Sequence, residues 1–293
     1  IDSFYNRGTD IRVPLRKLTA TERCGLQLHA DGVFSMGSTA MSAKGFNINT
    51  LSSTISFDAK MGIGDLMSDP SLPVSLKGNG LISPSDIVMA FPDMKAMLSP
   101  MGLLSFSTDI DGTAGSVDVR ELSMSMPDVF RLKGKGTVEA PFDPGKIGGN
   151  ISLDGSLATL SDRKFSFLPI SIVPALQLKA DVSYHPGEAS GKLAVNTRGG
   201  RLAANGSWAA RPEKYDARIA LDRFPVDAFM PSIGIGSVTG LASINGKGYN
   251  PMSVRTSVDA DVRLSEIEYN HETYRDINLN TSLHAGEASG SLV

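Results

Sequence analysis

From Val254 to Leu264 apolar and polar residues alternate without an exception. The even positions read Val254, Thr256, Val258, Ala260, Val262 and Leu264, and the odd ones Arg255, Ser257, Asp259, Asp261 and Arg263. Period two places successive side chains on opposite faces of a strand, so this segment has one dry face and one wet face. Leu176, Leu178, Ala180, Val182 and Tyr184 alternate with Gln177, Lys179, Asp181 and Ser183 in the same way. Ile277, Leu279, Thr281 and Leu283 alternate with Asn278, Asn280, Ser282 and His284. Shorter runs are Ile55-Phe57-Ala59-Met61, Leu104-Phe106-Thr108-Ile110 and Ala217-Ile219-Leu221. Between Val117 and Met126 the phase slips at Glu121, which predicts a β-bulge. The expectation is an all-β chain of antiparallel type.

Turn residues supply the punctuation. Glycine occurs 30 times, often after an apolar residue as Asp-Gly or Asn-Gly: Ile110-Asp111-Gly112, Leu153-Asp154-Gly155, Ile244-Asn245-Gly246. Such dipeptides tolerate positive φ, and these are expected to close hairpins. Lys77-Gly78-Asn79-Gly80, Lys133-Gly134-Lys135-Gly136 and Gly246-Lys247-Gly248 lie within alternating runs, where glycine marks bends or close backbone approach.

Two internal duplications follow. Ser183 to Leu193 returns 99 residues later as Ser282 to Leu292, with eight of eleven positions identical. Each copy reads as strand, Gly-Glu-Ala-Ser-Gly turn, strand. Phe91-Pro92 through Gly112 is matched by Phe224-Pro225 through Gly246. Each contains a short apolar stretch bounded by proline, Met94–Leu98 or Val226–Met230, that fits a single helical turn. Asp65 to Pro73 reads as a loop or one helical turn. Leu160 to Pro174 is the most apolar stretch, and Pro169 and Pro174 keep it from being a regular helix or a central strand. The chain reads as an array of hairpin units.

Chemical signatures are few. With 28 Lys and Arg against 31 Asp and Glu, and no basic block, the charge pattern argues against a nucleic-acid partner. Cys24 is the only cysteine, so an internal disulfide framework and a Cys-based zinc site are excluded. His29, His185, His271 and His284 stand at no metal-ligand spacing. Asp109-Ile110-Asp111-Gly112 lacks the third acidic position and the closing Glu of a calcium loop. The Gly-Lys-Gly triplets are too short to cradle a phosphate, and no Gly-x-Ser-x-Gly elbow occurs. No catalytic, metal or cofactor constellation emerges, and the chain is read as no enzyme. No run approaches the 18 apolar residues of a spanning helix. The opening at Ile1 and the strand-like ending at Gly290-Ser291-Leu292-Val293 read as a piece of a longer polypeptide.

The run from Tyr215 through Phe224, with Phe229-Met230-Pro231, Val238-Thr239-Gly240, Ile244 to Gly248 and Asp276 to Leu279, resembles the repeat of the TamB and AsmA-like family of Gram-negative envelope proteins. Asp86 to Ala140 is similar but more diverged, and the likeness is weaker before Asp86. The resemblance implies an elongated, curled antiparallel sheet, polar outside and hydrophobic inside: a repeating β-groove with a few short helical turns. It further implies a periplasmic protein held to the inner membrane by a segment absent from this chain. The expected role is conduction of phospholipids between inner and outer membrane, support of outer-membrane protein assembly, or both. Expected partners are phospholipid acyl chains and, through other parts of the protein, an Omp85-type outer-membrane barrel. The divisions expected are 1–85, 86–175 and 176–293.

On that reading the groove is lined by Leu176, Leu178, Val182, Tyr184, Val254, Val258, Val262, Leu264, Ile277, Leu279 and Leu283. The alternative is a β-rich structural or adhesive module, a sandwich or solenoid, that binds protein or glycan. Closed faces would mark the sandwich, and open faces the groove. An outer-membrane barrel ranks well behind, because six Tyr and one Trp are too few for two aromatic girdles.

Overall fold

The computed structural model describes residues 5–8, 10–22, 24–98, 101–158, 160–161, 172–173 and 175–293. These residues form an open, antiparallel, nearly all-β structure, as the alternation requires. The described residues divide into two compact units, those up to 151 and those from 152 onward.

The first unit is a meander. It runs β1 (Tyr5–Arg7), β2 (Asp10–Thr21), β3 (Gln27–Met36), β4 (Ala40–Asn49), β5 (Thr54–Gly62) and β6 (Pro73–Ile82). A crossing segment with α1 (Pro84–Ala90), a 3-10 turn at Pro92–Met94 and α2 (Lys95–Leu98) then leads to β7 (Leu104–Thr113), β8 (Ser116–Met126) and β9 (Phe130–Glu139). The first half of β10 (Gly148–Leu157) follows, with Gly149 against Thr137 of β9. From β1 to β9 each strand pairs antiparallel with the next. The expected division at 85/86 is not a structural one. The crossing segment returns the chain to the free edge of β6, and β7 pairs there from Pro73↔Thr113 to Ile82↔Leu104.

In the second unit β11 (Leu160–Ser161) pairs with β12 (Ile172–Val173). The remainder of the expected irregular apolar stretch lies outside the described residues. A second meander contains β13 (Leu176–His185), β14 (Glu188–Thr197), β15 (Arg201–Ala210), β16 (Glu213–Pro225), β17 (Ile235–Lys247), β18 (Ser257–Tyr269), β19 (Glu272–His284) and β20 (Glu287–Leu292). All seven successive pairings are antiparallel.

The bulge expected near Glu121 is present: the register shifts between Val119 and Leu122. Asp65 to Leu72 forms the expected turns, with Ser68 N and Asp69 N both donating to Asp65 O. Val226 to Met230 is one hydrogen-bonded turn, Met230 N donating to Val226 O at 2.8 Å.

The Asp-Gly and Asn-Gly expectation fails. Asp111-Gly112, Asp154-Gly155 and Asn245-Gly246 all lie inside strands. Hairpins are closed instead at Ala114-Gly115, Pro186-Gly187 and Ala285-Gly286, the last with both residues at positive φ, 52° and 84°. Likewise Glu188 to Gly191 and Glu287 to Gly290, expected as turns, belong to strands. The in-strand glycines serve close approach. A Cβ on Gly246 would run into the ring of Tyr215, and one on Gly78 would lie 2.9 Å from Phe57 Cβ.

Little of the molecule is sealed from water. Accessible surface totals 18538 Å² for 31.0 kDa. Compact proteins of that mass expose about 12,000 Å², and two compact halves about 14,400 Å². Among the described residues the buried apolar side chains are Leu98, Ala114, Val117 and Met126 in the first unit, and Phe224 and Val238 in the second. A closed sandwich would bury the inner face of every strand. These faces are open.

Candidate functional site: the uncovered apolar face of the second unit

Register aligns the dry faces of β13 to β20 into rows that cross the strands. One row reads Val182, Gly191, Gly206, Ala217, Ile244, Ala260, Thr281 and Gly290, each directly opposite the next. Two residues to one side stand Ala180, Leu193, Ala204, Ile219, Ala242, Val262, Leu279 and Leu292. Beyond these come Leu178, Val195, Leu202, Leu221, Gly240, Leu264 and Ile277. On the other side lies a bulkier row: Tyr184, Ala189, Trp208, Tyr215, Gly246, Val258, Leu283 and Ala288. The first row is low because glycine and alanine dominate it, so taller side chains flank a shallow channel. Eight strands about 4.8 Å apart give it a length of about 34 Å.

This face is wet where ordinary core would be dry. Val182 is 46% exposed, Tyr184 43%, Trp208 40% and Leu279 36%. Leu176, Leu178, Val258, Val262, Leu264, Ile277 and Leu283 are half-buried, as neighbours on one sheet face must be. Ten of the eleven expected lining residues therefore share one face. Val254 does not. β18 starts at Ser257, and Val254 sits in the preceding turn with 81% of its surface exposed. Proline at 251 and the turn bonds Ser253 N to Asn250 O and Thr256 N to Ser253 O stop the strand short of it, although the alternation continues.

The two ends of the face differ. At one end the segment after β16 folds over it: Phe229 stacks on Phe224, centroids 5.2 Å apart at 8°, and Phe224 faces Val238 across the register. At the other end Tyr249 leaves the β17–β18 loop to stack on Tyr215 at 6.0 Å, its hydroxyl donating to Ala209 O at 3.2 Å. Sequence reading missed this aromatic row and the small-residue row. On β14, β15 and β17 the dry face carries Gly191, Gly206, Gly240 and Gly246, which register as neither apolar nor polar and so break the visible alternation.

The opposite face is polar and electrostatically paired. His284 Nε2 lies 3.2 Å from Asp259 Oδ1, and Arg275 Nε 3.2 Å from Glu266 Oε2. Tyr274, by contrast, is opposite Ile267 and so shares the face of Val238 and Phe224; its hydroxyl donates to Glu272 at 2.9 Å, and that bond to a carboxylate raises its pKa above the ordinary value. A hollow of about 590 Å³ on this face is lined by Asp216, Arg218, Asn245, Asp259, Asp261 and Asn280, among others. Asp261 is held by Arg263 at 2.9 Å and Asp216 by the Ser207 hydroxyl. Among the described residues no group of His, Cys, Asp and Glu is arranged to hold a metal, and no helix is long and apolar enough to cross a membrane.

No family model, no curated protein and no solved structure matches this chain.

Proposed function

We propose that the chain is a lipid-holding β-groove of the TamB and AsmA-like kind. Its second unit shelters phospholipid acyl chains on the apolar face while head groups stay in water. The observation that carries this reading is an apolar face of eight strands left uncovered, with Val182, Tyr184, Trp208 and Leu279 each more than a third exposed. Water is driven off such a surface at about 25 cal/mol per Å² of apolar area, and each acyl CH₂ buried contributes about 0.8 kcal/mol. A wall of Val, Ile, Leu, Ala and Gly offers no polar anchor that would hold a chain at one place, which suits passage as well as binding. A periplasmic setting, phospholipid movement between the two membranes and assistance to outer-membrane assembly belong to the same proposal.

The test is a photo-crosslinker at Val258, on the apolar face, with Asp259 on the polar face as control, followed by mass spectrometry of organic extracts. Phospholipid attached at Val258 and absent at Asp259 is the expected result. No lipid at either position would overturn the reading. Val262→Asp should lose the lipid while keeping the sheet.

The polar hollow supports one second reading, a module that binds glycan or protein on its wet face. Glycan binding that Asp216→Asn abolishes and Val262→Asp leaves intact would replace the lipid proposal.

A further inference from the structure

On the polar face of the second unit, strand pairing brings together three residues that no spacing in the sequence connects. Ser257 begins β18 and His284 ends β19, and the register sets them directly opposite each other. The Ser257 hydroxyl lies 3.0 Å from His284 Nδ1. On the far side of the ring, Nε2 lies 3.2 Å from Asp259 Oδ1, two residues further along β18. With the ring proton on Nε2, donated to the carboxylate, Nδ1 is free to accept from the serine. A hydroxyl, a base and an acid that orients the base, each in hydrogen-bond reach of the next, form the arrangement that activates a serine. The residues stand on paired strands rather than on loops, and Ala285 N donates to Thr256 O at 3.1 Å beside them. His29 makes a useful contrast: Thr19 Oγ1 lies 3.2 Å from its Nδ1, but among the described residues no carboxylate contacts its ring.

The same cross-strand row continues from Ser257 to Lys247 and then to Lys214, and in the other direction from His284 to Glu287. Directly opposite residues share a face, so both lysines stand on the polar side with the serine and the histidine. Neither ammonium has an ion-pair partner among the described residues. Like charges opposed at a Cβ distance of about 5 Å destabilise a sheet, and an anion beside them relieves that. We infer that Ser257 is a nucleophile toward carboxylic esters, with His284 as its general base and Asp259 as the residue that positions the base. The substrates favoured are esters that also carry an anionic group, which Lys247 and Lys214 attract. Ser257 Oγ adds to the ester carbonyl carbon while its proton passes to His284 Nδ1. The carbon–oxygen bond to the alcohol breaks, and the departing oxygen takes that proton. Water then attacks the acyl-serine, giving one proton to Nδ1. The acid leaves, and the proton returns to Ser257 Oγ. The His284 and Asp259 side chains are 57% and 62% exposed, so water screens their contact and slow turnover is expected. This face lies opposite the apolar one, and the inference stands apart from the lipid reading.

The test is covalent. The full chain is treated with a fluorophosphonate, which an activated serine attacks at phosphorus with loss of fluoride, and the labelled peptides are mapped by mass spectrometry. Ser282 and Ser289 on the same face, whose hydroxyls contact each other at 2.8 Å, serve as internal controls. Labelling of Ser257 should be at least about tenfold faster than of either control. His284→Gln should slow it about 100-fold. Asp259→Asn should slow it about tenfold, and in ester hydrolysis should lower kcat with KM unchanged, as expected of a positioning residue. His185→Gln, at the equivalent place in the first copy of the duplicated hairpin, should change nothing. Hydrolysis of 4-acetoxybenzoate is compared with that of neutral phenyl acetate, and Lys247→Gln should lower kcat/KM for the anionic ester about fivefold more than for the neutral one. Ser257 labelled no faster than Ser282 would overturn the inference, as would labelling that His284→Gln and Asp259→Asn leave undiminished. An equal effect of Lys247→Gln on both esters would overturn the assigned substrate class.

Discussion

The two units dress one strand pattern differently. In the first, loops fold onto the sheet at both ends. Leu72 fits against Gly62 and Gly64, where added Cβ atoms would lie 2.7 Å and 3.0 Å from it, and its carbonyl accepts from Ala114 N at 2.8 Å. At the other end the crossing segment buries Leu98 and brings Gly102 against Met126. Rings fill the face between, Phe46 against Phe57 at 5.3 Å and Phe106 lying where a Cβ on Gly80 would be. The second unit has a ring stack at each end, Phe229 on Phe224 and Tyr249 on Tyr215, and between them a floor of glycine and alanine. Alternation therefore creates a dry face, and what lands on that face decides where it is sealed and where it stays open: Val117 and Met126 are buried, while Met61, Leu76 and Leu122 of the same face are more than a third exposed.

A charge on each dry face tests the comparison most severely. Val117 is 6% exposed and Val182 is 46% exposed. Val117→Asp should cost about 3 kcal/mol or more, because an unpaired carboxylate loses its water. Val182→Asp should cost less than about 1 kcal/mol. Denaturant unfolding with unit-resolved hydrogen exchange measures both, and equal costs would erase the distinction.

The crossing segments come next. Asp86 of α1 accepts from Thr50 Oγ1 at 2.5 Å and from the Ser53 hydroxyl, which ties the crossing to the β4–β5 hairpin. Asp86→Ala strands both hydroxyls and should cost about 1–3 kcal/mol. In the second unit the corresponding 3-10 turn at Pro231–Ile233 has no side-chain cap, and the ring stack holds it instead. Phe229→Ala should cost less, about 1–2 kcal/mol, and should lift lipid uptake by uncovering Phe224. Thermal melts rank the pair.

Gly112→Ala and Gly246→Ala sharpen the contrast at a single atom. On Gly112 the new methyl meets the Ser116 backbone, which cannot move aside, and about 2 kcal/mol is expected. On Gly246 it meets the Tyr215 ring, which can swing, so about 1 kcal/mol and a changed Trp208 emission are expected.

The smallest effect is in pH. Asp65, Asp69, Asp109 and Asp143 are held below the ordinary carboxylate pKa, chiefly by hydrogen bonds from Ser68, Ser71, Lys77 and Lys146 respectively. All four belong to the first unit. Their stabilisation is present above the ordinary value of 3.8 and is lost as pH falls through their lowered values. Lys77 and Tyr274, both raised by a carboxylate partner, stabilise below their ordinary values of 10.5 and 10.0 and lose that as pH rises through the raised ones. Amide exchange in acid should thus open the first unit before the second, by a modest margin because Asp65 and Asp69 are exposed and Asp109 and Asp143 only half-buried.

Several features were legible in the residues. The alternation at 176–184, 257–264 and 277–283 marked the strands and, through Leu178, Val262 and Leu279, the face they share. The Glu121 bulge and the turn at 226–230 were legible too, because a phase slip and a proline boundary are local events. Val254 misled, since period two continues through a segment whose backbone is already a turn. Asp111-Gly112 and Asn245-Gly246 misled for a related reason: a glycine freed for positive φ and a glycine kept bare beneath a ring look the same in one dimension.

By itself the sequence determined strand, phase and which residues face together, because a pleated backbone imposes that order over two residues at a time. Only the tertiary structure decided which strands adjoin, and hence that Gly191, Gly206 and Ala217 form one low row while Trp208, Tyr215 and Tyr249 gather at one end. It also decided that Lys214 stands opposite Lys247. Cross-strand registers join residues up to 40 positions apart, as Pro73 and Thr113 are, and so depend on loop lengths and bulges that no local pattern encodes.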